Sequence, residues 1–321
     1  MIDRLNLLAI GGLSLTAGWV GAHLSSPAVR RWRQPSRHEV TGSSLFAATA
    51  PARTAAHDPV VLLLHGLTAT GISFSRHYDC LPGTVVVPDL LGFGRSLSTI
   101  QNDFGRQAHV AAVCVLLEDM GLRERPVVLV GHSMGAVLAL HLACELPQVR
   151  GVVAVSAPLY DTDAEADAHV VHATLLARLF ATGSAAQRVC EWMCAHRRLA
   201  SFLWPMVAPQ WPRPIAAAGV LHTWPAYADS IQGLVINSDY RTALGRLTTR
   251  EVPVWLLNGA DDRVPVFGRA DDLAAEFTNL EVEEVTEADH DLPIAQPEFC
   301  TSRIAGLIAT WLPDTADSDL G

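Results

Sequence analysis

The chain of 321 residues has a formal net charge of −10, and half of its residues are hydrophobic while only 17% are charged. This composition supports a large buried core and is unlike that of a disordered chain. Because an acidic surface repels a polyanion, we expect no nucleic-acid partner. The length suits one large α/β domain with an insertion better than two separate cores.

The basic and sulfur-containing residues restrict the chemistry further. All 23 basic residues are arginines, so no Schiff-base lysine, no lysine-bound pyridoxal cofactor and no complete phosphate-binding P-loop can form. The six cysteines show no C-x-x-C spacing. Cys190, Cys194 and His196 lie close in sequence but offer too few ligands for a closed zinc site. We therefore expect free thiols, and neither a metal nor an organic cofactor.

The N-terminal segment is apolar. Residues 5–24 carry no charged side chain apart from His23, and they match the ~20 residues with which a helix spans a bilayer. Four arginines follow within residues 30–37, a cluster that is costly to translocate. This pattern predicts membrane association through residues 5–24, with the remaining chain on the cytoplasmic side. The alternatives are a cleaved signal peptide, which would imply secretion, and a helix that lies on a membrane or on the protein.

Further along the chain, short aliphatic runs alternate with stretches of helical periodicity. Runs bounded by Gly, Pro or Asp are typical of strands buried on both faces of a parallel sheet. Strands that alternate with helices predict a mainly parallel sheet with helices on both faces. Residues 36–59 suit short antiparallel strands or a linker. The predicted strands are residues 60–64, 85–87, 127–130, 152–155 and 254–257, and the clearest helices are residues 109–120 and 134–146.

Residues 158–244 interrupt this alternation. The stretch holds four tryptophans, several prolines and helical runs such as residues 174–181, and it predicts a helical lid over one end of the sheet. We therefore divide the chain into four parts. The apolar N-terminal segment with its basic flank spans residues 1–35, and the core spans residues 36–157 and 245–314. The lid spans residues 158–244, and the acidic tail spans residues 315–321.

The motif Gly131-His132-Ser133-Met134-Gly135 closes an aliphatic run and opens a helical one. A serine at such a strand-to-helix turn is held in strained backbone geometry that projects its hydroxyl above the sheet. Side chains at the flanking glycines would clash with the strand or the helix. Ser133 is therefore a candidate nucleophile, and the alternative is an ordinary turn serine.

With this motif in its setting, the chain resembles the α/β-hydrolase superfamily, and within it the serine esterase and lipase-like branch, from about residue 60 to residue 311. The resemblance implies an α/β fold with a mostly parallel, doubly wound sheet and a helical lid insertion. His65-Gly66-Leu67 matches the element that supplies one donor of the oxyanion hole in that superfamily. It thus implies that the amides of Leu67 and Met134 face the developing oxyanion. His65 itself is interpreted as a structural histidine.

The same resemblance locates an acid and a base. Asn258-Gly259-Ala260-Asp261-Asp262 resembles the strand end that delivers the triad acid, and its spacing favours Asp262. Asp261 stays open, because a shift of one residue at a strand end redirects the carboxylate. Near the C-terminus, Asp289-His290 resembles the superfamily's G-H loop with aspartate in place of glycine. His290 follows nucleophile and acid in the chain order of this fold, which singles it out among thirteen histidines.

These residues imply hydrolysis of a small-molecule carboxylic ester through an acyl-enzyme. We expect an apolar acyl ester such as an acylglycerol, with His132, Trp192 and Trp204 in contact with the substrate. A serine at the elbow argues against the haloalkane dehalogenase and epoxide hydrolase branches, which use aspartate. A carbon–carbon bond hydrolase of ring-cleavage products, and an acyltransferase or perhydrolase, would use the same triad. A non-catalytic binding protein on this scaffold is the alternative from another class.

Overall fold

The computed structural model describes residues 18–50, 59–97, 102–172 and 183–312. Within these ranges an eight-stranded sheet has the order β1-β2-β4-β3-β5-β6-β7-β8. The pairs β1–β2 and β2–β4 are antiparallel, and the other five pairs are parallel. The strands are β1 (His38–Thr41), β2 (Phe46–Thr49), β3 (Val60–Leu64), β4 (Thr84–Pro88), β5 (Val127–His132), β6 (Val149–Val155), β7 (Val254–Gly259) and β8 (Leu280–Val285).

The burial of the central strands explains why their aliphatic runs predicted them. Every residue of β3 and β5 is buried, as expected for strands covered by helices on both sides. The prediction of a mostly parallel α/β sheet is confirmed, and all five predicted strands are present. Residues 36–59 contribute the antiparallel pair β1 and β2 rather than a linker alone.

Strand β8 was missed by the sequence analysis. Its sequence, Leu-Glu-Val-Glu-Glu-Val, contains three glutamates and has no continuous aliphatic run. The strand lies at the sheet edge and pairs only with β7 among the described strands, so its exposed side chains need not be apolar. A polar edge strand carries too weak a hydrophobic signal to be distinguished from a loop.

Helices cover both faces of the sheet. One buried cluster joins β3 and β5 to apolar residues of the helices that begin at Arg106, Met134 and Tyr240. A second cluster, on the other face, joins β5 and β6 to the C-terminal helix. The core helices are α3 (Arg106–Asp119), α4 (Met134–Glu145), α10 (Tyr240–Thr249), α11 (Arg269–Glu276), α12 (Leu292–Ala295) and α13 (Pro297–Trp311), and the N-terminal ones are α1 (18–25) and α2 (Pro27–Arg31).

A helical insertion lies between β6 and α10, as predicted. Its described helices end in a π-helical turn, and the chain is tied to the core by a bridge between Phe93 and His222. The run at residues 174–181 falls outside the described residues. The insertion helices are α5 (Asp163–His172), α6 (Gly183–Ala195), α7 (Arg197–Val207), α8 (Arg213–Ala218) and α9 (Trp224–Ile231), followed by the π-helix Gln232–Ile236.

The N-terminal segment is described from residue 18 onward. Helix α2 packs on the core through Ala28, which shares a buried cluster with Ile215 and Ile294. None of the helices in the described ranges combines the length and the apolarity that crossing a bilayer requires. Residues 5–17, which carry most of the predicted anchor, and the acidic tail 315–321 lie outside those ranges, so both remain predictions.

Candidate active site

Ser133 stands at the turn between β5 and α4, in backbone geometry that is unusual for a non-glycine residue. Its φ is 53° and its ψ is −121°. Glycine is required on both sides: a Cβ on Gly131 would lie 2.2 Å from the carbonyl oxygen of Gly135, and a Cβ on Gly135 would lie 2.2 Å from that of Leu64. The amide of Ser133 donates to the carbonyl of Val155, 2.9 Å away. Close helix–strand packing thus holds the serine in its strained position.

The structure brings three residues together that are far apart in sequence. His290 Nε2 lies 3.0 Å from Ser133 Oγ. On the other edge of the ring, Nδ1 lies 3.0 Å from Asp262 Oδ2 and 3.2 Å from Oδ1. An ionised carboxylate only accepts hydrogen bonds, so Nδ1 is the protonated nitrogen and Nε2 is free to accept the proton of the serine hydroxyl. The order hydroxyl, imidazole, carboxylate is that of a Ser–His–Asp triad.

The geometry distinguishes the two neighbouring aspartates. The Asp262 side chain is only 1% exposed and also accepts the amide of Val264. The Asp261 side chain is exposed to solvent, while its amide donates to the carbonyl of Ala288. A Cβ on Gly259 would lie 2.3 Å from that same carbonyl, which shows how closely the two loops approach. Asp262 is therefore the carboxylate that contacts His290.

The imidazole and the carboxylate stabilise each other's charged forms. Burial raises the pKa of Asp262, but the hydrogen bond and the charge of His290 outweigh it, so this pKa lies below its ordinary value. Burial lowers the pKa of His290, but the hydrogen bond and the charge of Asp262 outweigh it, so this pKa is raised. Asp291 and Asp289 raise it further. The carboxylate is thus ionised, and the imidazole is made more basic.

The raised pKa of His290 predicts a shifted pH profile for any reaction in which this ring accepts a proton. Only the neutral ring can act, so kcat/KM should fall as the pH drops through an inflection above 6.5, the ordinary value for histidine. Asp289→Asn removes one charge that stabilises the imidazolium and should move the inflection to lower pH. The variant Asp261→Asn changes an exposed neighbouring carboxylate and should leave the inflection unchanged. An inflection at or below pH 6.5 in the wild type would contradict this assignment.

Met134 and Leu67, whose amides are the predicted oxyanion donors, lie close to Ser133 in the structure. Met134 is the first residue of α4, where amides have no acceptor within the helix and the helix dipole favours negative charge. Leu67 follows Gly66, at which a Cβ would lie 3.3 Å from the Cβ of Ser133. Among the hydrogen bonds of the described residues, neither amide has an acceptor within the protein. Both remain candidates for binding an oxyanion.

His132 contacts the loop that carries His290. Its Nε2 donates to the carbonyl oxygen of His290 over 2.8 Å, and the two ring centroids are 5.0 Å apart. Burial, together with the neighbouring His290, lowers the pKa of His132 to about 3, so the ring is neutral. His132 thus supports the backbone of the loop that carries His290, and its role toward substrate remains a prediction.

Neither of the two tryptophans expected at the substrate has a recorded contact with the three central residues. Trp192 is half-exposed and stacks on His196, with ring centroids 4.9 Å apart. Trp204 is half-buried in α7. The described hydrogen bonds and ring contacts join neither indole to Ser133 or His290. Their predicted role in substrate binding stays a prediction.

Tyr160 was missed by the sequence analysis. Its hydroxyl donates to the carbonyl of Val264 over 2.7 Å, and Val264 is the residue whose amide binds the carboxylate of Asp262. The start of the insertion therefore braces the loop that carries the acid. No local pattern signals a contact between residues 104 positions apart.

The described ranges contain no cluster of three or more His, Cys, Asp or Glu side chains arranged to hold a metal ion. The Sγ atoms of Cys190 and Cys194 lie 4.0 Å apart, and Nδ1 of His222 lies 3.8 Å from the Cys190 sulfur.

The chain is similar to known proteins in sequence and in fold. Residues 61–302 match the model of a family described as "Alpha/beta hydrolase family". The chain is 31% identical to the magnesium-chelatase 30 kDa subunit of Rhodobacter capsulatus over 265 residues, which cover 80% of this chain and 88% of that protein. It is 34% identical to lipase LipV of Mycobacterium tuberculosis over 131 residues, 40% of this chain and 46% of the lipase. A thermophilic esterase from Thermogutta terrifontis superposes with a TM-score of 0.59 at 21% identity, covering 86% of this chain and 99% of the esterase, a likeness of fold alone.

Proposed function

The chain belongs to the alpha/beta hydrolase family, and from that premise we propose that it is a serine hydrolase that cleaves a carboxylic ester through an acyl-enzyme. One observation carries the proposal. The hydroxyl of Ser133, the imidazole of His290 and the carboxylate of Asp262 form a continuous line of hydrogen bonds of 3.0–3.2 Å. This arrangement activates a hydroxyl as a nucleophile.

In the first half of the reaction, Ser133 Oγ attacks the ester carbonyl while His290 Nε2 accepts the hydroxyl proton. Asp262 holds the ring in the required tautomer and stabilises the imidazolium. The amides of Leu67 and Met134 donate to the oxyanion of the tetrahedral intermediate, an interaction whose loss typically costs about 10²–10³-fold in turnover. His290 then gives its proton to the departing alcohol, which leaves Ser133 acylated.

In the second half, His290 removes a proton from a water molecule that attacks the acyl carbon. The tetrahedral intermediate collapses, the carboxylic acid departs, and Ser133 Oγ regains its proton from His290. Water is the co-reactant, and each proton removed from a nucleophile returns to a leaving group. His290 therefore mediates every proton transfer of the cycle.

An apolar acyl ester, such as an acylglycerol, is the substrate class we favour. The lid sequence is rich in aromatic and aliphatic residues, a composition that suits an apolar acyl group. The similarity to lipase LipV supports the same class. Serine rather than aspartate at position 133 favours an acyl-enzyme over an alkyl-enzyme.

Covalent labelling with a fluorophosphonate probe tests the nucleophile, and p-nitrophenyl esters of increasing chain length test the substrate class. We expect wild type to be labelled, Ser133→Ala to remain unlabelled, and hydrolysis to favour longer acyl chains over acetate. Ser302→Ala, a change to an exposed serine of the C-terminal helix, serves as a control that should still be labelled. Labelling of Ser133→Ala would overturn the assignment. Turnover of a vinylogous diketone, or acyl transfer to an added alcohol or peroxide, would favour the other reactions of the same triad.

One comparison favours a second candidate function. The similarity to the magnesium-chelatase 30 kDa subunit extends over 88% of that protein. The name describes that protein as a subunit of magnesium chelatase, so this chain is a candidate subunit of such an assembly. Adding the purified chain to a reconstituted magnesium chelatase tests this idea. Stimulation by wild type and by Ser133→Ala alike would indicate a role in assembly, and stimulation by wild type alone would indicate that hydrolysis contributes to it.

A further inference from the structure

Lid helix α7 exposes an apolar stripe to solvent. Its five members follow the spacing i, i+3, i+4, i+7 and i+8, which places them on one face of the helix. Each is 39–63% exposed, although large apolar side chains are normally buried. Contiguous exposed apolar patches on soluble proteins mark sites of interaction. The stripe consists of Leu199, Phe202, Leu203, Met206 and Val207.

The N-terminal helix α1 extends this stripe. A groove of about 340 Å³ separates the two helices and is lined by Trp19 and His23 on one side and by Phe202 and Met206 on the other. His23 Nδ1 donates to the carbonyl of Pro209 over 2.8 Å, which fixes α1 beside the lid. Two further apolar side chains of α1, Val20 and Leu24, are exposed. We call the stripe on α7 together with α1 the docking face.

Arginines flank the docking face, although the protein as a whole is acidic. Residues 18–36 contain three arginines and no acidic residue, and residues 183–213 contain four arginines and one glutamate. One of these, Arg213, lines the groove itself. The chain as a whole has a formal charge of −10, whereas these two ranges together hold six more arginines than acidic residues. Such a surface attracts an anionic partner with an apolar interior.

We propose that the docking face binds the surface of a bilayer that contains anionic lipids. An amphipathic helix lies in the interface with its apolar side chains at the boundary between headgroups and acyl chains, while arginines bind the phosphates. Indole rings, such as that of Trp19 in the groove, favour the same depth. In the sequence, the uncharged residues 5–17 directly precede the docking face.

Contacts of helix α2 connect the docking face to the candidate active site. Helix α2 follows α1, and its Arg31 donates to the carbonyl of Ala295, while Ala28 packs against Ile294. Those two contacts lie in α12, which begins two residues after His290. A bilayer at the docking face would therefore lie beside the loop that carries the base. The proposal does not depend on the chemistry at Ser133, because it concerns binding alone.

Sedimentation of the full-length chain with lipid vesicles tests the proposal. We expect binding to vesicles of phosphatidylglycerol and phosphatidylcholine, weaker binding to phosphatidylcholine alone, and weakening by salt. The double variant Phe202→Ser/Met206→Ser should lower the partition coefficient at least about tenfold, because it removes two apolar groups from the interface. The matched control is Phe267→Ser, since Phe267 is 98% exposed but lies in the loop after β7. Arg198→Glu/Arg213→Glu changes two exposed arginines and should weaken binding to the anionic vesicles selectively.

The following outcomes would overturn the proposal. Equal binding by wild type and by Phe202→Ser/Met206→Ser, or no binding by the wild type, would exclude this face. Self-association in the ultracentrifuge without vesicles, abolished by the same double variant, would show that a second copy covers the face instead. A truncation that lacks residues 1–17 separates the contribution of those residues from that of the docking face. If the truncated chain lost all vesicle binding while the double variant kept it, binding would be assigned to residues 1–17 alone. Circular dichroism verifies that each variant is folded.

Discussion

Replacing Ser133 with alanine is expected to lower kcat for ester hydrolysis on the order of 10⁶-fold, because the remaining groups then have no nucleophile to activate. KM should change little, since the hydroxyl is one small group among the contacts of the substrate. Steady-state hydrolysis of a p-nitrophenyl ester measures both constants. Alanine retains a side chain at the position with φ of 53° and should leave the thermal unfolding transition close to that of wild type.

The double variant Ser133→Ala/His290→Ala provides the sharper test. If the two side chains act as one unit, as their distance of 3.0 Å implies, the double variant should be no slower than either single variant. Additive losses would mean that His290 contributes to turnover independently of Ser133. Residual turnover of Ser133→Ala within about tenfold of wild type would mean that another residue is the nucleophile.

Asp262→Asn is expected to lower kcat about 10⁴-fold, the second largest effect. The carboxylate holds Nδ1 of His290 in its protonated form at 3.0 Å, which leaves Nε2 free to accept a proton. An amide can donate to Nδ1 instead and so favour the wrong tautomer, and it cannot stabilise the imidazolium. The isosteric change tests charge and tautomer rather than packing, as the side chain is almost completely buried.

Asp261→Asn is the matched control for this prediction. Its side chain is exposed, and only its backbone amide is used, in the bond to the carbonyl of Ala288. We expect turnover close to that of wild type, measured with the same ester. A large loss in Asp261→Asn together with a small one in Asp262→Asn would exchange the roles of the two residues. Equal and small losses would show that no carboxylate of this loop is needed.

Local sequence was sufficient for most of the fold because buried parallel strands and the nucleophile turn are encoded by neighbouring residues. An unbroken aliphatic run such as residues 60–64 has few alternatives to a strand covered on both faces. At the turn, glycine is required at 131 and 135 because helix and strand approach so closely that a Cβ at either position would overlap a carbonyl oxygen. Ser133 and the parallel sheet were therefore accessible from the sequence.

Contacts between distant residues were decided only by the tertiary structure. Spacing favoured Asp262 but left Asp261 open, and the choice depends on how the loop after β7 is anchored to Ala288. His132 supports the carbonyl of His290, 158 residues away, and Tyr160 braces the acid loop from the lid, neither of which leaves a local trace. The sequence also left open whether the aromatic and aliphatic residues of the lid are buried or exposed. A helix that buries its apolar face and a helix that exposes it have the same periodicity. Periodicity records which residues share a face of a helix, and only the packing of the whole chain determines whether that face meets protein or solvent.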